Sequence, residues 1–289
     1  MRNIVIIADS TCDLSKDLID KYQIRILPLG VTFPDNPTKI YQDGIDINSE
    51  MIYEHVDKTG ILPKTSAINV ATFMQVFEEE LNKGNDIFYT GIGSGLSSSY
   101  NNARLAAQEF DASRIAIVDS QNLSTGVGII ACRAGKMRDE GKTLEEIRLE
   151  AERIVPLIST KFCIDRLDYL HKGGRCSGMT KIVAHAFKIH PVAHVKDNKL
   201  SVYKMPRGKY IKAVETQIDE FIEDLPYIDK DCIFITHSGN MEGIEYQVFD
   251  KMAQYVPKEN LHITQAGSTI SSHCGPKTIG LLYIVDKKN

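Results

Sequence analysis

Several features that mark common protein classes are missing from this sequence of 289 residues. No apolar run approaches the ~20 residues needed to cross a bilayer, and no signal peptide precedes the short apolar start at 3–8. The six cysteines form no Cys-x-x-Cys pair, which argues against a zinc knuckle or a thioredoxin-like redox site. With 34 basic and 38 acidic residues, the chain has no broad basic field for nucleic acid. We therefore expect a cytoplasmic protein with reduced thiols that binds no nucleic acid.

Metal-binding patterns are equally scarce. His190 and His194 have the i, i+4 spacing of a helical metal pair, but Pro191 lies between them in a strand-like run at 189–195. No carboxylate or thiol accompanies these imidazoles, so the sequence predicts no metal site.

What is present is an alternation of apolar runs and amphipathic stretches, which predicts strands joined by crossover helices in an α/β fold. The length favours two domains, and Pro156 marks the boundary, so we expect an N-terminal α/β domain with a parallel sheet at 1–157 and a C-terminal α/β domain at 158–289. Thr143 and Glu146 have capping-box spacing, Ser49 is placed to cap a helix, and Asp197-Asn198 predicts a hairpin turn. The predicted strands are 3–8, 86–90, 114–118, 161–164, 189–195, 200–205, 232–236, 261–264 and 280–285, and the predicted helices are 69–81, 97–109, 124–140, 143–154, 210–223 and 242–255.

The segment at 91–100, Gly-Ile-Gly-Ser-Gly-Leu-Ser-Ser-Ser-Tyr, follows a predicted strand and precedes a predicted helix. That position suits an anion, because a helix N-terminus offers free N–H groups and a positive dipole. Three catalytic or nucleotide-binding motifs are incomplete, two of them in this segment and one at 275–278. Leu96 replaces the third glycine of a dinucleotide fingerprint, Ser99 replaces the last glycine of a nucleophile elbow, and Pro276 interrupts the only P-loop-like stretch. Ser97 to Ser99 could equally serve as helix caps.

Two further segments carry hydroxyls. Lys64-Thr65-Ser66 precedes an amphipathic helix, so we expect Thr65 and Ser66 at its N-terminus, and 271–276 forms a polar loop that contains His273. Three hydroxyl-rich loops without an acidic pair or metal set favour recognition of an anion over its chemical transformation. The alternative for His273 is a structural histidine.

Two arginines are candidate phosphate contacts. Gly173-Gly174 allows a sharp turn that presents Arg175, whose planar fork suits phosphate or carboxylate; the alternative is a helix-ending glycine beside a solvated arginine. The basic segment 207–212, which begins with Arg207, is typical of a surface that meets a partner or anionic lipid, or of a solvated helix start.

Enzymatic alternatives stay open at this point. Ser97 could act as a hydrolase nucleophile with His237 or His273 as its base, since triads are defined by geometry. A small-molecule kinase acting on a carboxylate or phosphate substrate, or a regulatory protein with an incidental lipid, would fit the same loops.

The chain resembles the DegV family, the fatty-acid-binding subunits of bacterial fatty acid kinase, over nearly its whole length. Single motifs of this family are weak, but seven in the same order are specific. They are Asp-Ser-Thr-Cys-Asp-Leu at 9–14, Gln-Asp-Gly-Ile-Asp-Ile at 42–47, Thr-Ser at 65–66, Leu-Ser-Ser-Ser-Tyr at 96–100, Val-Asp-Ser at 118–120, Leu-His-Lys-Gly-Gly-Arg at 170–175 and Ser-His-Cys-Gly-Pro at 272–276.

The resemblance implies two α/β domains with a long-chain fatty acid held between them. It places the carboxylate at Thr65 and Ser97, with His273 nearby, and it makes Arg175 a candidate contact for the acyl phosphate. From the sequence itself we expect Ser66 and Ser98 beside the carboxylate and a phosphate or kinase contact at Arg207. The resemblance implies no cofactor and no ATPase activity. A separate DhaK/DhaL-like kinase subunit, related to dihydroxyacetone kinases, would phosphorylate the carboxylate, and the acyl phosphate would serve phospholipid synthesis, with transient contact to a membrane surface.

Two departures from the family pattern lie beside the expected carboxylate. Ala67-Ile68-Asn69 replaces Gln-Pro-Ser, and Ser98-Ser99 replaces Gly-Thr. The second puts a side chain where glycine would allow close backbone approach, so the headgroup geometry is expected to differ.

Overall fold

The computed structural model describes residues 2–177 and 189–287. The strands in these ranges are β1 (Ile4–Asp9), β2 (Arg25–Leu27), β3 (Gly30–Thr32), β4 (Tyr41–Gln42), β5 (Lys64–Ser66), β6 (Asp86–Gly91), β7 (Ile115–Asp119), β8 (Ile158–Cys163), β9 (Cys176–Ser177), β10 (Val192–Lys196), β11 (Lys199–Lys204), β12 (Ile228–Ser238), β13 (Leu261–Gln265) and β14 (Thr278–Val285). The helices are α1 (Lys16–Lys21), α2 (Ser49–Thr59), α3 (Val70–Asn82), α4 (Ser99–Ala107), α5 (Thr125–Asp139), α6 (Leu144–Ile154), α7 (Leu167–Gly173), α8 (Tyr210–Asp224), α9 (Ile244–Met252) and α10 (Ser268–Cys274).

The first sheet is parallel, with strand order β2-β1-β6-β7. Its two faces bury alternate side chains: Ile7 and Tyr89 pack with α3 and α4, whereas Ile6 and Phe88 pack with α5 and α6. Since parallel strands end at one edge, the segment after β6 lies at the carboxyl edge of the sheet, as the sequence predicts.

The second sheet is mixed, with strand order β13-β12-β14-β8-β10-β11-β9. Helices α8 and α9 pack on one face, and α5 packs on the other through contacts with Phe234 and Leu282. Helix α5 is therefore buried between the sheets, which explains its nearly continuous run of buried residues. The second sheet begins with Ile158 of β8, but one apolar cluster joins both halves, so the division into domains at 157 and 158 stays a prediction.

A small antiparallel sheet, β4-β3-β5, lies beside the first one. The apolar run at 24–31 supplies both β2 and β3, which belong to different sheets and are separated by Pro28 and Leu29. Val31 of β3 pairs with Thr65 of β5. The expectation that Thr65 and Ser66 lie at a helix N-terminus is therefore wrong, because strand pairing holds their backbone.

The residues that cap the helices agree only in part with the sequence predictions. Asn48, not Ser49, caps α2, since its side chain accepts a hydrogen bond from Met51 N. Asn69 caps α3 by accepting from Thr72 N at 2.8 Å. The predicted capping box at Thr143 and Glu146 is present at the start of α6.

Candidate functional site

A cavity of about 220 Å³ opens at the carboxyl edge of the first sheet, where the two halves of the chain meet. We call it the mouth. It is lined by Leu29, Thr65, Ser66, Ala67, Ile92, Leu96, Ser97, Ser98, Leu123, Arg175, Leu200, Thr269, Ile270 and His273. The structure thus brings together the hydroxyl and imidazole side chains of β5, the 91–98 loop and α10, with Arg175 beside them. Arg207 is exposed and does not line the mouth.

His273 and Thr65 form the centre of the mouth. Thr65 Oγ1 lies 2.9 Å from His273 Nε2. Burial, assisted by the charge of Arg175, lowers the pKa of His273 to about 4, so the imidazole is neutral at pH 7. When Nε2 carries the proton, it donates to Thr65 Oγ1, and the Thr65 hydroxyl keeps its own hydrogen for an acceptor in the mouth; when Nδ1 carries the proton, Thr65 donates to Nε2 instead.

The Ser97 side chain bonds the start of a helix and also lines the mouth. Its Oγ accepts a hydrogen bond from Ser99 N at 3.2 Å and lies 3.1 Å from Ser99 Oγ. Helix α4 consequently begins at Ser99 rather than at Ser97. Ser97 is half-buried and lines the mouth, so its hydroxyl supports the helix start and faces the cavity at once.

Arg175 follows the end of α7. Gly174 has a left-handed backbone with φ of 68°, which ends the helix, and Arg175 Nη1 donates to Gly173 O at 2.9 Å. The side chain is exposed yet lines the mouth. The glycine therefore ends the helix beside a solvated arginine at the entrance, and a phosphate or carboxylate contact by Arg175 stays a prediction.

An inner cavity of about 60 Å³ adjoins the mouth and shares Leu123, Leu200, Ile270 and His273 with it. The rest of its lining is Ser124, Thr160, Phe162, Leu170, Thr236, His237, Ser238, Ala266, Cys274, Thr278, Gly280 and Leu282. Although five of these residues are serine or threonine, their hydroxyls are engaged elsewhere.

The threonine hydroxyls show this most clearly. Thr160 Oγ1 donates to Asn122 Oδ1 at 2.7 Å, and Thr278 Oγ1 donates to Cys274 O at 3.0 Å. Thr236 Oγ1 lies 2.6 Å from Thr125 Oγ1 and 2.9 Å from Thr264 Oγ1.

The two serines follow the same pattern. Ser124 Oγ donates to Asp13 Oδ2 at 2.6 Å, and Ser238 Oγ bonds Tyr53 and, at 3.1 Å, Ser271 Oγ. Because these polar atoms are satisfied by neighbours, the inner cavity offers carbon atoms to a ligand.

The segment at 271–276, expected to be a loop, is largely helical: α10 runs from Ser268 to Cys274. Two acids from the first half hold its start. Asp13 Oδ1 accepts from Gly267 N at 2.8 Å, and Asp43 accepts from Ser268 N at 2.7 Å and Thr269 N at 3.2 Å. The motifs at 9–14 and 42–47 therefore hold the helix that carries His273, and neither acid lines the mouth.

Thr269 is a residue that sequence reasoning missed. It is 3% exposed, it lines the mouth, and its hydroxyl has no hydrogen-bond partner among the described residues. The signal was its spacing, because Thr269 and His273 are i, i+4 neighbours and so share one face of α10. A buried hydroxyl without a partner is costly, so an acceptor in the mouth would relieve Thr269.

The hydrolase alternative lacks its central contact. His273 Nε2 is bonded to Thr65, and His237 Nδ1 lies 3.0 Å from Gly239 O. Neither imidazole is hydrogen bonded to Ser97 within the described parts of the chain, where Ser97 instead bonds Ser99.

Neither a metal-ligand cluster nor a helix able to span a membrane occurs in the described residues. Nowhere in 2–177 or 189–287 do three histidine, cysteine, aspartate or glutamate side chains come together as metal ligands would. His194 stacks on Tyr203, and His190 Nδ1 is 3.2 Å from Asp165. Within those ranges no helix combines the length and the apolar character that crossing a bilayer requires.

Comparison with known proteins gives matches over the full chain. The family model described as "Uncharacterised protein, DegV family COG1307" matches residues 3–286. A DegV domain-containing protein of Clostridium acetobutylicum is 31% identical, with 98% of each chain covered. Another, from Clostridium perfringens, is 29% identical over 98% of this chain and 99% of its own.

Solved structures agree with the sequence matches. A fatty-acid-binding DegV family protein from Thermus thermophilus superposes with a TM-score of 0.88 at 29% identity, covering 99% of this chain and 100% of its own. A protein from Thermotoga maritima with fatty acid binding function gives a TM-score of 0.82 at 26% identity, with 99% and 100% covered. The α/β fold and the order of the motifs agree with these matches, and the chain belongs to the DegV family.

Proposed function

We propose that this protein binds one long-chain fatty acid, with its carboxylate in the mouth and its tail in the inner cavity. The observation that carries the proposal is the difference in lining between these two adjoining cavities, which share four residues. Thr65 and Ser97 face the mouth, whereas the hydroxyls around the inner cavity are turned toward other protein groups. Fatty acid binding by the related proteins from Thermus thermophilus and Thermotoga maritima supports the same ligand class.

The tail would supply most of the affinity. Burying about 14 methylenes at about 0.8 kcal/mol each gives roughly 11 kcal/mol, against an association cost of about 4 to 15 kcal/mol. The inner cavity of about 60 Å³ has room for only a few small groups, since a cavity of about 150 Å³ accommodates one benzene. Entry of a full tail therefore requires side chains of the lining to move apart.

The hydrogen-bond donors of the mouth would offset the free-energy cost of removing the carboxylate from water. A carboxylate removed from water without donors is costly, while each hydrogen bond to a charged group contributes about 1.5 to 3 kcal/mol. Thr65 and Ser97 supply hydroxyl donors, and the neutral His273 orients Thr65 without adding a fixed charge. The unpartnered Thr269 hydroxyl lies at the same cavity.

The position of the carboxylate would suit transfer to another protein. It would lie at the open end of the cavity beside the exposed Arg175, whose guanidinium can hold a phosphoryl oxygen. The chain would then present the carboxylate to a separate ATP-dependent DhaK/DhaL-like kinase subunit and carry acyl phosphate toward phospholipid synthesis. Arg207, which is exposed outside the mouth, would contact the kinase or an anionic membrane surface.

Mass spectrometry of solvent-extracted, purified protein tests the ligand. We expect one equivalent of long-chain fatty acid, released only on denaturation or extraction. Absence of acyl ligand, combined with no uptake of added oleate or palmitate, would contradict the proposal. Nucleotide binding by the isolated chain would instead favour the kinase alternative, and labelling of Ser97 by a fluorophosphonate would favour the hydrolase.

A further inference from the structure

The tip of the β10–β11 hairpin belongs to the second half of the chain but touches the loop that carries Ser97. Asp197 and Asn198 form the turn, with φ of 50° and 59°. Asn198 Oδ1 accepts from Gly95 N at 3.1 Å, and Asn198 Nδ2 donates to Ser94 Oγ at 2.7 Å and to Asp119 Oδ2 at 3.3 Å. One amide thus bonds three groups of the first half.

This contact explains why glycine occupies positions 93 and 95 of the loop. A Cβ on Gly95 would overlap the Asn198 carbonyl oxygen, and a Cβ on Gly93 would lie 2.6 Å from Asn198 Oδ1. Both glycines therefore allow the hairpin to approach. The sequence shows no dinucleotide or nucleophile motif at these glycines, and their backbone faces a neighbouring turn instead.

The contact reaches Ser97 through a short, hydrogen-bonded turn. Leu96 N and Ser97 N both donate to Gly93 O, at 2.9 and 3.1 Å. Ser94 is fixed in turn by Asp119, which accepts from Ser94 N at 3.0 Å and from Ser94 Oγ at 2.6 Å. A shift at Gly95 would consequently move Ser97, two residues further along the chain.

We infer that Asn198 is a positioning residue for the headgroup site, because it fixes the 93–97 turn so that Ser97 faces the mouth. The same hairpin carries Leu200, which lines both the mouth and the inner cavity. The hairpin therefore connects Leu200, which would contact the tail, with Ser97, whose hydroxyl would contact the carboxylate. This inference rests on the proposed fatty acid binding.

Asn198→Gly is the informative variant, because glycine keeps the left-handed backbone of the turn and removes only the amide. We expect its affinity for oleate to fall about 10- to 100-fold, the loss that corresponds to one charge-assisted hydrogen bond. Asp197→Gly is the matched control: it changes the neighbouring, exposed residue of the same turn and should bind oleate normally.

A double-mutant cycle separates positioning from general destabilisation. In a Ser97→Ala background, Asn198→Gly should cause no further loss of oleate affinity, whereas in a Thr65→Ala background it should still do so. An equal loss in all three backgrounds, or no loss in the otherwise unchanged chain, would overturn the inference.

Hydrogen exchange of the ligand-free protein provides a measurement that does not depend on fatty acid. Asn198→Gly should speed exchange of the amides at 95–99 relative to Asp197→Gly, and unchanged exchange there would overturn the inference. If exchange is faster but the parent protein binds no oleate, Asn198 still fixes the 93–97 turn and the proposed ligand is rejected.

Discussion

The mouth and the inner cavity contain the same residue types but differ in what they offer a ligand. Threonine and serine are common in both linings. Around the inner cavity, Thr160, Thr236 and Thr278 bond other protein groups, so their methyl groups remain for the ligand. At the mouth, Thr65 is bonded to a neutral histidine, and Thr269 has no partner among the described residues. Polarity in this protein is thus set by where a hydroxyl points, and residue type alone does not reveal it.

The largest expected effect comes from making the passage between the two cavities polar. Ile270 lines both, and Ile270→Asp would place a carboxylate against the tail and near the headgroup. Burying an unpaired charge costs several kcal/mol, so we expect loss of measurable oleate binding by calorimetry. Ile270→Leu should bind within a few-fold of the parent chain. Retained affinity in a folded Ile270→Asp protein would show that the tail does not use this passage.

A pair of identical substitutions contrasts the two linings directly. Thr65→Val should weaken oleate binding about 10- to 100-fold while changing the free energy of unfolding by about 1 kcal/mol or less. Thr236→Val keeps the methyl group but loses the hydrogen bonds with Thr125 and Thr264, so it should lower the free energy of unfolding by about 1 to 3 kcal/mol with oleate affinity unchanged. Calorimetry and urea unfolding measure both quantities. The reverse pattern would refute the contrast.

Arg175 lies at the solvent-exposed entrance of the mouth. Arg175→Ala should change fatty acid affinity only a few-fold, because an exposed charge contributes about 0.2 to 1 kcal/mol. Acyl phosphate formation with a partner kinase should fall much further, since the guanidinium would hold the phosphoryl group. Equal turnover of Arg175→Ala and the parent chain in the reconstituted reaction would exclude that role.

The last expected effect concerns stability rather than ligand binding, and it is a pH dependence at His273. Its pKa of about 4 in the folded chain lies below the value of about 6.5 expected when unfolded, so the folded state binds fewer protons between these values. The stability due to the neutral imidazole is therefore complete above about pH 6.5 and decreases as the pH falls toward 4. The difference in unfolding free energy between the parent chain and His273→Gln should shrink over that range, by at most about 1.4 kcal/mol per pH unit. A constant difference would mean that His273 titrates normally.

Local patterns predicted the scaffold well. The alternation of strands and helices, the capping box at Thr143 and the turn at Asp197-Asn198 depend on neighbours in sequence, and the structure confirms them. The meeting of Thr65, Ser97 and His273 came from family resemblance, since no local pattern predicts contacts across 208 residues, as in the Thr65–His273 bond.

Three features that local patterns did not predict share one physical cause. Thr65 lies in a strand because β3 pairs with it, and the 93–95 glycines accommodate Asn198, which is more than 100 residues away in sequence. Helix α10 begins where acids of the first half accept its N–H groups. In each case a distant partner, invisible to local propensity, determines the conformation.

The most direct test of the central claim is a crystal structure of the chain with bound oleate. Our account predicts a carboxylate oxygen within hydrogen-bond distance of Thr65 Oγ1 and Ser97 Oγ, and a tail that passes Leu200 and Ile270 toward Thr236 and Leu282. A carboxylate at the Thr236 end of the inner cavity, with the tail leaving through the mouth, would contradict it.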